Sequence, residues 1–153
     1  MGISIRPARL QEASYLTELA LRSKAHWGYD TQFLESCRKE LTLREGELSA
    51  RRAAVAEQDG DIVGFTTLEG DPPQGVLGMM FVDPDVIGKG IGRLLFDHVV
   101  VTARELGFTQ FTIDADPNAE PFYEAMGAVP VGVAPSGSIP GRTLTQLLRN
   151  VRD

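Results

Sequence analysis

Between Met79 and Gly107 the chain reads as an apolar strand, a proline-marked turn, three closely spaced glycines and a long amphipathic run. Met79-Met80-Phe81-Val82 stops at Asp83-Pro84, because proline cannot donate into a sheet ladder. Ile91, Leu94, Leu95, Val99, Thr102 and Leu106 recur at three- and four-residue spacing, which predicts a helix. Between the two lies Gly88-Lys89-Gly90-Ile91-Gly92-Arg93, where the backbone can approach a ligand with no Cβ in the way. The first amides of a helix lack intrahelical partners and sit at the positive end of its dipole. A glycine-rich turn feeding a helix start is therefore an anion site, most often for phosphate. Lys89 and Arg93 add positive charge there to a chain whose net charge is −6.

The spacing narrows the ligand. A Walker loop needs Gly-x-x-x-x-Gly-Lys-Ser/Thr, which is absent. A dinucleotide fingerprint needs Gly-x-Gly-x-x-Gly directly after a strand, with an acid about twenty residues on. Here the pattern is Gly-x-Gly-x-Gly, five residues separate Val82 from Gly88, and only Asp114 imitates the distant acid. A plain turn with no ligand is the alternative to an anion site.

Val82-Asp83-Pro84 followed by Ile87-Gly88-Lys89-Gly90-Ile91-Gly92 resembles the acetyl-CoA-binding motif of the GNAT superfamily of N-acetyltransferases, Arg/Gln-x-x-Gly-x-Gly/Ala. Gly90 and Gly92 match its two small positions, and Ile87 departs from the usual Arg or Gln. The family uses that position mainly through its backbone amide. Asn118-Ala119-Glu120-Pro121-Phe122-Tyr123-Glu124-Ala125-Met126-Gly127 is similar to the later motif Asn…Phe-Tyr-Glu-x-x-Gly-Phe, with Ala128 replacing the final aromatic. The motifs stand in the family's order, and the flanking pattern extends the resemblance to nearly the whole chain.

The resemblance implies acetyl-CoA as co-substrate. Its pyrophosphate would lie on the amides of Ile87, Gly88, Lys89, Gly90, Ile91, Gly92 and Arg93. Its pantetheine arm would lie between two splayed parallel strands and pair with the backbone of Phe81 and Val82. Asn118 would contact that arm, and Tyr123 would be the general acid for the leaving thiolate. A phenol near pKa 10 can donate to, or hydrogen-bond, a thiolate whose acid has a pKa near 8.5. Tyr123 packed beside Phe122 with no chemical role is the alternative. Relatives often carry Glu on the strand before the glycine loop, but Val76-Leu77-Gly78-Met79-Met80-Phe81 has no carboxylate. Glu69, Asp114, Asp116, Glu120 and His26 remain candidates, and no base is assigned.

The other segments fit one domain spanning residues 1–153. Ile3–Arg6 reads as a strand, Leu10–Ser23 as a helix, and Asp30 as the N-cap of a second helix with Phe33, Leu34, Cys37 and Leu41 buried. Trp27 and Tyr29 between the helices either line an amine pocket or pack the helix pair. Residues 44–49 read as a loop. Ala53–Glu57 and Ile62–Leu68 flank an Asp59-Gly60 hairpin turn. Val76–Val82 should pair parallel with Phe108–Ile113 through the crossover helix. Pro117–Ala125 reads as a short helix, and Ala128–Val133 and Thr143–Arg149 as strands joined by Pro135-Ser136-Gly137-Ser138. The expected class is α+β: a mixed, mostly antiparallel sheet flanked by helices.

Composition excludes several classes. At 42% apolar and 24% charged the chain is an ordinary globular sequence, and an acidic balance argues against nucleic acid as partner. No apolar run reaches membrane length and no signal region opens the chain, so a cytoplasmic protein is expected. Cys37 falls in a core stripe, and two histidines with one cysteine make no metal site. His98 reads as structural. The expected activity is acetyl transfer to a primary amine of a small-molecule or amino-acid-like acceptor, with a homodimer as a possible assembly. A protein lysine or N-terminal acetyltransferase, or a non-catalytic acyl-CoA-binding module, are the alternatives.

Overall fold

Asp59 and Gly60 both take positive φ (53° and 86°), the type I′ pattern, and turn Ala54–Gln58 (β2) back onto Asp61–Glu69 (β3). The structure, a computed structural model, describes residues 2–136 and 139–151. Ile3–Pro7 (β1) pairs antiparallel with β2, and β3 with Gln74–Val82 (β4). The glycine loop then leads into Ile91–Leu106 (α3), which carries the chain to Gln110–Ala115 (β5), parallel to β4. Glu120–Ala125 (α4) precedes Val129–Pro135 (β6) and Thr143–Asn150 (β7). β7 inserts between β5 and β6, giving one sheet of order β1-β2-β3-β4-β5-β7-β6. This is the mixed, mostly antiparallel sheet expected.

Ala13–Ala25 (α1) and Thr31–Leu41 (α2) cover one face, packing Leu16, Leu19, Cys37 and Leu41 against Val55, Phe65 and Met79. On the other face α3 and α4 pack Phe96, Val99, Ala103 and Tyr123 against Leu77, Phe111, Ile113 and Leu147. Cys37 is core, as its stripe predicts. No helix among the described residues is long and apolar enough to cross a membrane.

Several boundaries differ from the sequence reading, each for a local reason. The expected α3 stripe included Leu94 and Leu106, which are exposed, while Leu95, Phe96, Val99 and Val100 face the sheet. Periodicity gives the stripe but not which flank of it meets the sheet. β5 begins at Gln110 rather than Phe108, because the Phe108 N–H closes α3 on the Ala103 carbonyl. α4 begins at Glu120 rather than Pro117, because the Ala119 and Glu120 amides turn onto the Asp116 carbonyl. The expected loop at 44–49 contains a 3-10 turn, Glu45–Glu47. Of the Pro135-Ser136-Gly137-Ser138 loop, Pro135 ends β6, and Gly137 and Ser138 lie outside the described residues.

β4 and β5 do pair in parallel, but only at Gln74–Gln110, Gly75–Phe111 and Val76–Thr112. Beyond Val76 they diverge. Thr67 of β3 faces Met79 and Leu68 faces Leu77, so Gly78 is an extra residue in β4. Such a bulge bends a strand and raises its twist. It also switches faces: Leu77 belongs to the α3 core and Met79 to the α1–α2 core. A wedge opens above the bulge, where one edge each of β4 and β5 has no neighbouring strand among the described residues.

Candidate active site

The wedge is flanked by two cavities. A groove of about 470 Å³ is lined by Phe81, Val82, Ile87, Gly88, Gly90, Ile91, Gly92, Arg93, Asn118 and Tyr123, with Trp27 and Met80. Of the residues expected to hold acetyl-CoA or to act as the general acid, Lys89 alone does not line it. A smaller cavity of about 120 Å³ opens on the α2 side, against Leu41, Gly78, Met79 and Asp114. Both cavities share Lys24, Met80, Phe81, Asp116, Ala119 and Tyr123, so they meet across the sheet at one point.

The glycine loop has the shape of an anion cradle. Gly88 and Gly90 take φ of +90° and +81°, which side chains rarely adopt, and a Cβ at either would meet nothing within 4 Å. Gly90 caps α3 with no side-chain hydrogen bond, so the first amides of this 16-residue helix are left open. Open amides on the positive end of a helix, beside exposed Lys89 and Arg93, fit a diphosphate.

Tyr123 is buried at the junction of the cavities, its ring edge-on to Phe122 at 5.5 Å. Its hydroxyl has no hydrogen-bond partner among the described residues, although Tyr123 lines both spaces. Burial, with the charge of Asp116 as a second cause, pushes its pKa above that of an ordinary phenol. The hydroxyl therefore stays a donor throughout the working pH range.

Asp116 is the hub of the junction. It accepts from Lys24 Nζ (3.1 Å), the Tyr29 hydroxyl (2.9 Å), the Asn118 backbone N–H (2.9 Å) and Asn118 Nδ2 (3.0 Å). Arg142 Nη2 lies 3.6 Å away. Tyr29 stacks on Phe33 at 4.1 Å, and the Lys24 and Arg142 cations sit over both rings. Of the two aromatics between the helices, Trp27 lines the larger groove and Tyr29 braces α2 to Asp116. Lys24 and Arg142 were not read from the sequence, since no local pattern marks a charge whose partner is distant in the chain, 92 residues away for Lys24.

Burial alone would raise the Asp116 pKa, but the Asn118 N–H, Lys24 and Tyr29 outweigh it and hold the group below the ordinary carboxylate value. A lowered folded pKa stabilises the protein above the unfolded value of about 3.9 and is lost as pH falls through the folded one. A carboxyl NMR titration should therefore place the Asp116 midpoint below about 3.9. Asp116→Asn should cost about 1–2 kcal/mol at pH 7, allowing for solvent screening, with the difference closing in acid.

The remaining candidate bases fall in different places. His26 stacks edge-on against Trp27, and neither it nor Glu120 lines either of these two cavities. Asp114 is exposed and accepts from Gln146 Nε2 at 3.1 Å. Glu69 is fixed by Arg51 and Thr67. His98 is half-buried near Thr102, and burial lowers its pKa.

Residues 11–135 match the sequence model of a family described as an acetyltransferase (GNAT) domain. The peptidyl-lysine N-acetyltransferase YjaB of Salmonella typhimurium strain LT2 is 38% identical over 74 residues, 48% of this chain and 46% of that protein, about half of each. YjaB of Escherichia coli K12 is 33% identical over 132 residues, 83% of this chain and 82% of that one. The PaiA N-acetyltransferase of Thermoplasma acidophilum, solved in complex with coenzyme A, has the same fold, with a TM-score of 0.82 at 19% identity over 98% of this chain and 99% of that one. The chain thus belongs to the GNAT family of acetyltransferases.

Proposed function

We propose that the protein transfers the acetyl group of acetyl-CoA to the primary amine of a small-molecule or amino-acid-like acceptor. The meeting of two cavities at Tyr123 carries this reading. The larger ends at the glycine cradle and suits the nucleotide and its arm. The smaller suits a slender alkylamine arriving from the α2 side. In this reading the α3 amides hold the diphosphate, the unpaired edge of β4 at Phe81 and Val82 holds the arm, and Asn118 lies beside it. The Tyr123 hydroxyl faces the sulfur as negative charge develops there.

A second reading, a lysine side chain of a peptide as acceptor, is favoured by the two YjaB relatives, which are named peptidyl-lysine N-acetyltransferases. A lysine side chain presents the same slender amine. A screen of free thiol released from acetyl-CoA, across alkylamines, amino acids and lysine peptides, separates the two. Thiol release with none of them, despite tight binding, would make the chain a binding module.

Acetyl-CoA should also raise the unfolding temperature. A ligand bound only by the native state adds RT ln(1 + [L]/Kd), about 2.7 kcal/mol at a hundredfold excess over Kd. A thermal shift with NAD or ATP and none with acetyl-CoA would sink the cofactor assignment to the groove.

A further inference from the structure

An alkyl ammonium has a pKa of about 10.4, so the acceptor must lose a proton before it can attack. Three carboxylates line the smaller cavity. Asp116 is taken up by Lys24, Tyr29, Asn118 and Arg142. Glu40 and Asp114 line the smaller cavity from exposed positions.

Glu69 is placed differently. Its Oε2 accepts from Arg51 Nε (3.0 Å), Arg51 Nη2 (2.9 Å) and Thr67 Oγ1 (2.8 Å). All three donors converge on one oxygen, and Oε1 has no partner among the described residues. The carboxylate lies directly over Gly78, where a Cβ would overlap it. Gly78 is the bulged residue of β4 and lines the smaller cavity. The bulge thus leaves the Gly78 backbone, part of the cavity wall, without a side chain and against the Glu69 carboxylate, which does not itself line the cavity. Arg51 holds that carboxylate, with Glu47 behind it at 3.9 Å, while Arg52 is turned away onto the Leu68 and Gly70 carbonyls.

We propose that Glu69 is the proton acceptor for the amine, reached through water. This rests on the N-acetyltransferase reading above. Glu69 takes one proton from the ammonium and returns it to solvent. The nitrogen lone pair then forms the C–N bond, the C–S bond breaks with its pair on sulfur, and the second nitrogen proton ends on the thiol. The sum is amide, free thiol and one proton released.

The test is Glu69→Gln, whose amide oxygen can still accept from Arg51 and Thr67. With an alkylamine such as butylamine, kcat/KM should fall about 10²-fold at pH 7. It should then climb about tenfold per pH unit towards the amine's own pKa, because only pre-deprotonated amine reacts. Calorimetry should show weaker butylamine binding in the presence of CoA, with CoA affinity unchanged. Gly78→Ala, which leaves the carboxylate but displaces it, should give the same pH slope, with thermal unfolding confirming that both variants fold. Wild-type rate and slope in Glu69→Gln would overturn the proposal, as would the slope arising in Asp114→Asn or Glu40→Gln instead. Binding of acetyl-CoA with no transfer by the wild-type protein to any amine would overturn the enzymatic reading as well.

Discussion

Replacing Tyr123 by Phe should slow acetyl transfer about 10²-fold and leave CoA affinity nearly unchanged. The substitution keeps the ring that packs on Phe96 and Phe122 and removes only the hydroxyl. Tyr123 as a residue is buried at the wall shared by both cavities, and its hydroxyl has no hydrogen-bond partner among the described residues. Deleting the hydroxyl therefore orphans no group among them, and the folded state should tolerate it. The loss should appear in kcat, because the interaction matters mainly as charge develops on sulfur. General acid–base contributions run roughly 10²–10⁴-fold, and a thiolate is already a fair leaving group, so the low end is expected.

The structure also alters the role. A phenol of ordinary pKa would add a descending limb to the rate profile near pH 10. Burial and Asp116 raise the Tyr123 pKa further, so the wild type should show no such limb below that pH. In the proposed mechanism Tyr123 would then act as a hydrogen-bond donor to the sulfur rather than as a full proton source. Equal turnover by Tyr123→Phe and wild type, with chemistry rate-limiting, would take Tyr123 out of the mechanism.

Valine at Gly90 or Gly92 should weaken CoA binding more than tenfold, for two different reasons. Gly90 holds φ at +81°, a region hostile to β-branched residues, so Gly90→Val strains the turn that aims the α3 amides. Gly92 already has helical geometry, so Gly92→Val leaves the turn alone. Its Cβ would instead stand 3.3 Å from Phe122 Cζ, pressing a ring that lines the groove. Calorimetry with CoA on both variants, with circular dichroism to confirm folding, gives the result. Unchanged affinity in both would reduce the loop to an ordinary turn.

What the sequence disclosed follows the range of the interactions involved. The strand, glycine turn and helix from Met79 to Leu106 were legible because proline, glycine and periodicity act on adjacent residues. The Asp59-Gly60 hairpin was legible for the same reason. The splaying of β4 and β5 followed from the resemblance, but the place where they part did not, because it accompanies a bulge at Gly78 whose room is taken by Glu69 and Thr67 of the neighbouring strand. Glu69 and Asp116 could be named as carboxylates of interest, but not distinguished. Their partners come from 18 residues away for Arg51 and 87 for Tyr29. Nothing within a helical or strand period of either residue announces those contacts.

The edge of β4 left bare above Val76 has an evolutionary reach. In the proposed reading, what it offers a bound arm is polypeptide main chain, and every residue except proline supplies that alike. Met80, Phe81 and Val82 can thus drift in identity without erasing the donors and acceptors along that edge. Met80 and Phe81 also wall the smaller cavity, so the same drift re-cuts the space offered to the other partner. A protein that grips one molecule through its backbone and chooses the second through its side chains can acquire new clients by single substitutions.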